Sequence, residues 1–252
     1  MAELLRAEGL VKRFDHFVAV NGVSLSFDAG VLTSIIGPNG AGKTTLINLL
    51  SGNLPCDAGR ILFQGEEITH LPPHERVGKG ISRSFQITTI FPQMTVFQNV
   101  QLPVLARLGR AGHPFARPDL DPEVRAEVEM LLREIGLEEI KGVRAGNLSH
   151  GDQRLLEIGM AIASRPRLCF LDEPCSGMNP AERGQVQDLI RRLAREWEVT
   201  FVIVEHDMDV VFTLSDHIIV MHQGAILTQG KPEEIREHAG VREIYLGEEI
   251  GT

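Results

Sequence analysis

Residues 37–45 read GPNGAGKTT, and no other stretch limits the possible folds as severely. The run matches G-x-x-x-x-G-K-[ST], a pattern that binds phosphate only where a strand ends and a helix begins. Both flanks comply: VLTSIIG, 31–37, is a short, mostly apolar strand, and TTLINLLSG, 44–52, carries helical spacing. Gly37, Gly40 and Gly42 let the backbone wrap phosphate oxygens with its N–H groups, alongside Pro38, Asn39 and Ala41. The helix start adds favourable potential for an anion. Lys43 is expected on the β and γ phosphates, and the Thr44 hydroxyl, with Thr45 beside it, on a Mg2+ ion that bridges them. The expected ligand is a nucleotide carrying β and γ phosphates.

Such a metal needs a carboxylate, and hydrolysis needs a group that orients water. LCFLDEP, 168–174, ends an apolar run in Asp172 and Glu173. Alternation along an extended strand predicts Asp172 toward Mg2+ and Glu173 toward a water in line with the γ phosphate. Alone, an Asp-Glu pair at a strand end is a solvated terminus; beside a phosphate loop the reading reverses. VTFVIVEHD, 199–207, ends a second buried strand at His206, which at a strand's C-terminal edge can sense the γ phosphate.

Strand–helix alternation continues: helices over about 180–196 and 208–214 follow those strands, which predicts a largely parallel sheet covered by helices. HFVAVNGVSLSF alternates around Asn21-Gly22 and predicts paired strands near the N-terminus. Helical segments at about 96–108 and 122–135 flank a Gly/Pro-rich connection, and 87–160 reads as a helical lobe inserted into one domain spanning 1–252. A hairpin at Gln223-Gly224 and a short helix after Pro232 close the chain.

With 252 residues, 43% of them hydrophobic, the chain can bury a substantial core. A net charge of -9 argues against general nucleic-acid binding. Cys56, Cys169 and Cys175 fit neither a disulfide framework nor a metal motif and read as reduced, cytosolic thiols. No run approaches the roughly 18 apolar residues of a membrane span. MAELLRAEGL lacks the features of a secretory leader.

LSHGDQR, 148–154, reads as a helix start capped by Ser149, suited to an anion but carrying no lysine. Together GPNGAGKT, SRSFQ ending in Gln86, LSHGDQ, LCFLDE, the SGMNP turn and VEHD resemble the ATP-binding subunits of ABC transporters, in order and spacing over nearly the whole chain. The resemblance implies the ABC ATPase fold: an α/β P-loop NTPase core with N-terminal antiparallel strands and an inserted helical subdomain. It also answers for the absent lysine, because in that family the signature segment contacts the γ phosphate of ATP held by the other subunit. Ser149 and Gly151 would then complete a partner's site, whether in a homodimer or a related heterodimer. The resemblance further implies Phe14 against adenine and Gln86 on Mg2+ or water. The apolar segment with Ile90, Phe91 and Val96 would form a groove for a membrane permease subunit.

Three residues depart from the family pattern: His150 and Asp152 in the signature, and Asn179 where many relatives carry aspartate. An acidic Asp152 is expected to turn away from phosphate and cap backbone N–H groups. With LEIGMAIA, DEPCSGMNPAE and EIYLGEE, these departures resemble the branched-chain amino-acid uptake subgroup. That implies a peripheral ATPase on the cytoplasmic face of the membrane, partnered by permease subunits and, indirectly, a solute-binding protein. A lipid or lipopolysaccharide exporter ATPase, a non-transport ATPase and a metabolite kinase remain as alternatives.

Overall fold

The computed structural model describes residues 2–84, 90–110 and 121–246. Two sheets lie back to back. The first has the order β2-β1-β4-β5, built from β1 (Glu3–Phe14), β2 (Phe17–Asp28), β4 (Ala58–Phe63) and β5 (Glu66–Glu67), all antiparallel. The second has the order β10-β9-β3-β8-β7-β6. Its strands are β3 (Thr33–Ile36), β6 (Ile81–Arg83), β7 (Leu168–Asp172), β8 (Thr200–Val204), β9 (His217–His222) and β10 (Ala225–Gly230). All its pairings are parallel except the β9–β10 hairpin.

The central strands β3, β7 and β8 are buried throughout because both faces are covered, and most of their residues are apolar. In β8, Val202 and Val204 enter the core shared with the antiparallel sheet, while Phe201 and Ile203 enter the core beneath the helices. Phe27 and Phe170 lock the two sheets edge to face, with centroids 6.2 Å apart.

Nine helices complete the described residues: α1 (Lys43–Ser51), α2 (Pro73–Lys79), α3 (Val96–Arg107), α4 (Pro122–Glu134), α5 (His150–Ile162), α6 (Pro180–Glu196), α7 (Met208–Leu214), α8 (Pro232–Glu237) and α9 (Ala239–Leu246). Caps set several starts: the Thr95/Gln98 and Asn179/Glu182 boxes, and the Asp121, Ser149 and Asp207 side chains. Among the described residues, α3, α4 and α5 lie between β6 and β7, and Val100, Val104, Val128 and Leu132 share one core with Leu156 of α5 and Leu193 of α6.

Two expectations change. The paired strands expected around Asn21-Gly22 form as β1 and β2, but the turn between them falls at Asp15-His16 and Asn21-Gly22 lies inside β2. Register shifts between Leu10↔Val23 and Lys12↔Val20, with Gly22 at φ 66°, make the pair a bulge. Ile90 and Val96 are buried core residues, so of the three groove residues only Phe91 stays exposed. Among the described residues no helix is long and apolar enough to cross a membrane.

Arg76 illustrates how the core treats charge. Its buried guanidinium donates to the carbonyls of Leu49 and Leu50 at the end of α1, and to Thr69 and Leu71, at 2.8–3.0 Å. Burial lowers its pKa to about 10. The four bonds keep it charged where α1 leaves carbonyls unpaired.

Candidate functional site

Strand order decides where the chemistry gathers. β3 lies between β8 and β9, and β8 between β3 and β7, so the C-terminal ends of β3, β7 and β8 are neighbours. These ends carry the phosphate loop, Asp172-Glu173 and Glu205-His206, at the edge where open α/β sheets bind ligands.

The loop from Gly37 to Gly42 is shaped by backbone that side chains would not allow. A Cβ on Gly37 would lie 2.2 Å from the Met221 carbonyl, and one on Gly42 2.3 Å from that of Ala19. Helix α1 starts at left-handed Gly42 with no side-chain cap and no acid in its first turn, which leaves its N–H groups to an anion. Lys43 Nζ donates to the carbonyls of Gly37 (2.6 Å) and Pro38 (3.1 Å), so the ammonium is held over the loop. Burial lowers its pKa, and Glu173 and Asp172 oppose that shift. A cleft of about 260 Å³ follows, lined by Phe17, Ala19, Asn39 to Thr45, Glu173 and Val204.

Asp172, the last residue of β7, is buried with Arg83 Nη2 3.3 Å from its carboxylate. Burial raises its pKa and Arg83 opposes the rise. The exposed Thr44 hydroxyl and the Asp172 carboxylate are hard oxygen donors suited to Mg2+. No group of three or more His, Cys, Asp or Glu that could hold a metal exists among the described residues. A Mg2+ held by these two donors would take phosphate oxygens and water as its further ligands, as this ion ordinarily does.

Glu173 departs from the expected strand alternation. Its φ is 48°, in the left-handed region, so a backbone turn separates its direction from that of Asp172. Its N–H donates to Val204 O (2.8 Å), and its carbonyl accepts from Ser176 N–H (3.2 Å) and Arg154 Nη2 (3.1 Å). Its carboxylate lies 3.6 Å from His206 Nδ1, which joins the two predicted residues at one point. Buried Glu205 supports both neighbours, accepting from Cys175 N–H (2.9 Å) and His206 N–H (3.2 Å). Burial raises its pKa, against the pull of those two N–H groups.

The signature segment lies apart from this cleft. Ser149 caps α5, accepting from Asp152 N–H (3.1 Å) and donating to the Asp152 carboxylate (2.8 Å). Asp152 thus binds a hydroxyl where a backbone N–H was expected, because Ser149 already serves that N–H. His150 Nε2 is 3.2 Å from Ser176 O, and a Cβ on buried Gly151 would meet the Glu182 carboxylate at 3.1 Å. Ser149 and Gly151 line no part of the phosphate-loop cleft.

Phe14 is exposed, opposite Phe17 across the β1–β2 turn, with Lys12 Nζ 5.7 Å from its ring centroid. Phe17, which the sequence reading passed over, forms part of the cleft wall. Gln86 lies outside the described residues. Arg83, Arg154 and Glu205 were also passed over; only a charge at the end or flank of an apolar run hinted at them.

Comparison with known proteins agrees with this geometry. The ABC transporter family matches residues 20–176, more than half the chain. The high-affinity branched-chain amino acid transport ATP-binding protein BraF of Pseudomonas aeruginosa is 41% identical over 97% of this chain and 98% of its own. LivG of Escherichia coli K12, with the same description, is 38% identical over the same shares. Among solved structures, a nucleotide-free ATP-binding cassette from an ABC transporter superposes with a TM-score of 0.86 at 34% identity, covering 97% of this chain and 99% of the other. A cassette in its ADP conformation gives 0.84 at 35%, covering 98% and 100%. The chain therefore belongs to the ABC transporter family, as an ATP-binding and ATP-hydrolysing subunit of a transporter.

Proposed function

We propose that two such subunits close face to face on two ATP molecules at the cytoplasmic face of the membrane, and that closure drives a permease importing branched-chain amino acids. One observation carries the closure: Ser149 and Gly151 form a helix start that lines no part of their own chain's phosphate cleft. The solute rests on the descriptions of BraF and LivG, which match over nearly full length. A solute-binding protein would deliver cargo to the permease. The helical segment, about 87–160, would be the lobe that meets the permease.

In this reading the Gly37–Gly42 amides and Lys43 bind the β and γ phosphates, and Phe14 stacks on adenine. Thr44 and Asp172, with Gln86, would hold Mg2+, which neutralises charge as the phosphoryl group leaves. Glu173 orients the attacking water and draws its proton, and His206, 3.6 Å away, faces the γ phosphate. The partner's signature segment donates hydrogen bonds to the same phosphate, each contributing roughly 1.5–3 kcal/mol.

The test is Glu173→Gln. It is expected to bind ATP as the unmodified chain does, to hydrolyse it at least about 100-fold more slowly, and to elute as an ATP-dependent dimer in size-exclusion chromatography. Ordinary turnover in that variant removes Glu173 from the mechanism. Uptake of labelled leucine by vesicles holding the assembled transporter tests the solute, and its absence under ATP hydrolysis overturns it.

A further inference from the structure

The geometry points to Arg154 as a positioning residue that ties the backbone of Glu173 to the signature helix of the same subunit. The inference rests on the reading of Glu173 as the group that orients water.

Glu173 occupies a backbone region that L side chains adopt only when surrounding contacts hold them there. Its N–H bond to Val204 O and the bond from Ser176 N–H come from the adjoining strand and the turn that follows. The remaining restraint comes from a helix. Arg154 Nη2 donates to the Glu173 carbonyl at 3.1 Å, while Nη1 donates to Glu157 at 2.6 Å, one turn further along α5. Both side chains are almost entirely out of solvent, at 10% and 3% exposure.

A buried guanidinium persists when it is paired, and this one is bonded through both terminal nitrogens while its Nε has no hydrogen-bond partner among the described residues. Here Glu157 neutralises it, and the second arm of its rigid fork addresses a main-chain carbonyl with a charge-assisted bond. That carbonyl fixes the peptide plane after Glu173, and with it the direction in which the carboxylate leaves the chain. Lysine could not serve both acceptors with the same planar geometry.

The consequence follows from where α5 begins. Ser149 and Gly151 stand about 7.5 Å and about 4.5 Å along the helix axis from Arg154, at a rise of 1.5 Å per residue. A helix start that engages the partner's ATP is thus rigidly joined to the carbonyl of its own subunit's glutamate. Nucleotide at one site then biases the carboxylate of the other, and the coupling acts in both directions.

Arg154→Met alone would leave Glu157 buried without its arginine, so the informative variant is Arg154→Met/Glu157→Gln. Glu157→Gln alone keeps an acceptor for Nη1 and the bond to Glu173 but removes the countercharge of Arg154, a cost that its melting temperature reads separately from turnover. Steady-state hydrolysis by the purified full chain is measured for both, beside Glu173→Gln, together with ATP affinity and melting temperature. The double variant is expected to lose about 10- to 100-fold in kcat, the scale of a misplacement near 1 Å, with KM for ATP within about twofold. Its Hill coefficient for ATP should fall toward one, and Glu157→Gln should stay within about threefold of the unmodified chain. If the double variant turns over normally while Glu173→Gln is inactive, the inference fails and the role of Glu173 stands. If Glu173→Gln itself turns over normally, both fail. A loss in Glu157→Gln equal to that of the double variant assigns the effect to packing of the pair and overturns the tie.

Discussion

Replacing Gly42 with alanine tests the shape of the phosphate loop, and its cost can be worked from contacts. The added Cβ would stand 2.3 Å from the Ala19 carbonyl oxygen and 3.4 Å from Gly224 Cα, at φ +99°. An ordinary carbon–oxygen contact lies near 3.3 Å, so something must move by about 1 Å. None of the three segments is free to move. Gly224 N–H is bonded to Ala41 O at 3.0 Å, Asn21 N–H to Gly224 O at 2.8 Å, and Ala19 belongs to β2. Left-handed backbone costs a non-glycine residue roughly 1–2 kcal/mol, and overpacking adds about 1–3. The sum, about 2–5 kcal/mol, corresponds to a fall in melting temperature of roughly 5–15 °C for a chain of this size. Gly40→Ala is the internal control: φ is +80°, yet an added Cβ meets nothing within 4 Å, so only the backbone term remains. It should melt within about 2–6 °C of the unmodified chain. Thermal unfolding without nucleotide reads the first effect, and titration with a fluorescent ATP analogue reads the second, where Gly42→Ala should lose about 100-fold in affinity. Equal melting and equal affinity for the two variants would refute the account of the loop.

Two further outcomes are expected. Asp152→Gln frees the Ser149 hydroxyl from its 2.8 Å bond to the carboxylate and removes a negative charge from the helix start that would meet ATP. In a Glu173→Gln background, sedimentation should show ATP-held association tightened by about 3- to 10-fold, more so at low salt; unchanged or weaker association rules out a restraining role. Glu205 has its pKa raised above 4.5 by burial, so the folded chain keeps a proton that the unfolded chain sheds. The associated stability is complete below pH 4.5 and is lost as pH rises through the folded value. Glu205→Gln should flatten the dependence of melting temperature on pH across that window, and an unaltered slope contradicts the assignment.

What the sequence shows plainly is whatever depends on neighbours. The phosphate loop lies where the strand–glycine–helix order puts it, α7 runs from Met208 to Leu214 as its pattern predicts, and α6 begins at Pro180 behind its Asn179 cap. Signals of this kind have a period or a cap and need no distant partner. Asn21-Gly22 misleads because a bulge and a hairpin turn favour the same residues; the pairing of β2 with β1 on both sides of Gly22 selects the bulge. Glu173 misleads for a related reason. Strand alternation is a sound rule until a left-handed residue interrupts it, and what holds that residue is an arginine 19 positions away. The contact of Arg83 with Asp172 spans 89 positions, and that of Glu205 with Cys175 spans 30. No periodicity encodes such separations.

The buried arginines explain how a helical lobe and a sheet act as one device. A net charge of -9 gives no reason to expect guanidinium groups inside. Arg83 and Arg154 stand where a helix meets the sheet edge that carries the chemistry, and Arg76 stands at the far end of α1. Arg76 fastens the end of α1 to the start of α2 through four carbonyls. Arg83 joins Asn48, also on α1, to Asp172 at the end of β7. Arg154 joins α5 to the turn after β7. Apolar packing would hold these helices against the sheet equally well, but it is non-directional and tolerates sliding. A guanidinium fork aimed at particular oxygens does not. The charges sit where α1, which begins at the phosphate loop, and α5, which begins at the signature, must report their positions to Asp172 and Glu173. Directional bonds at those joints turn a small shift of either helix into a defined displacement of the carboxylates, which is what coupling nucleotide binding to hydrolysis requires.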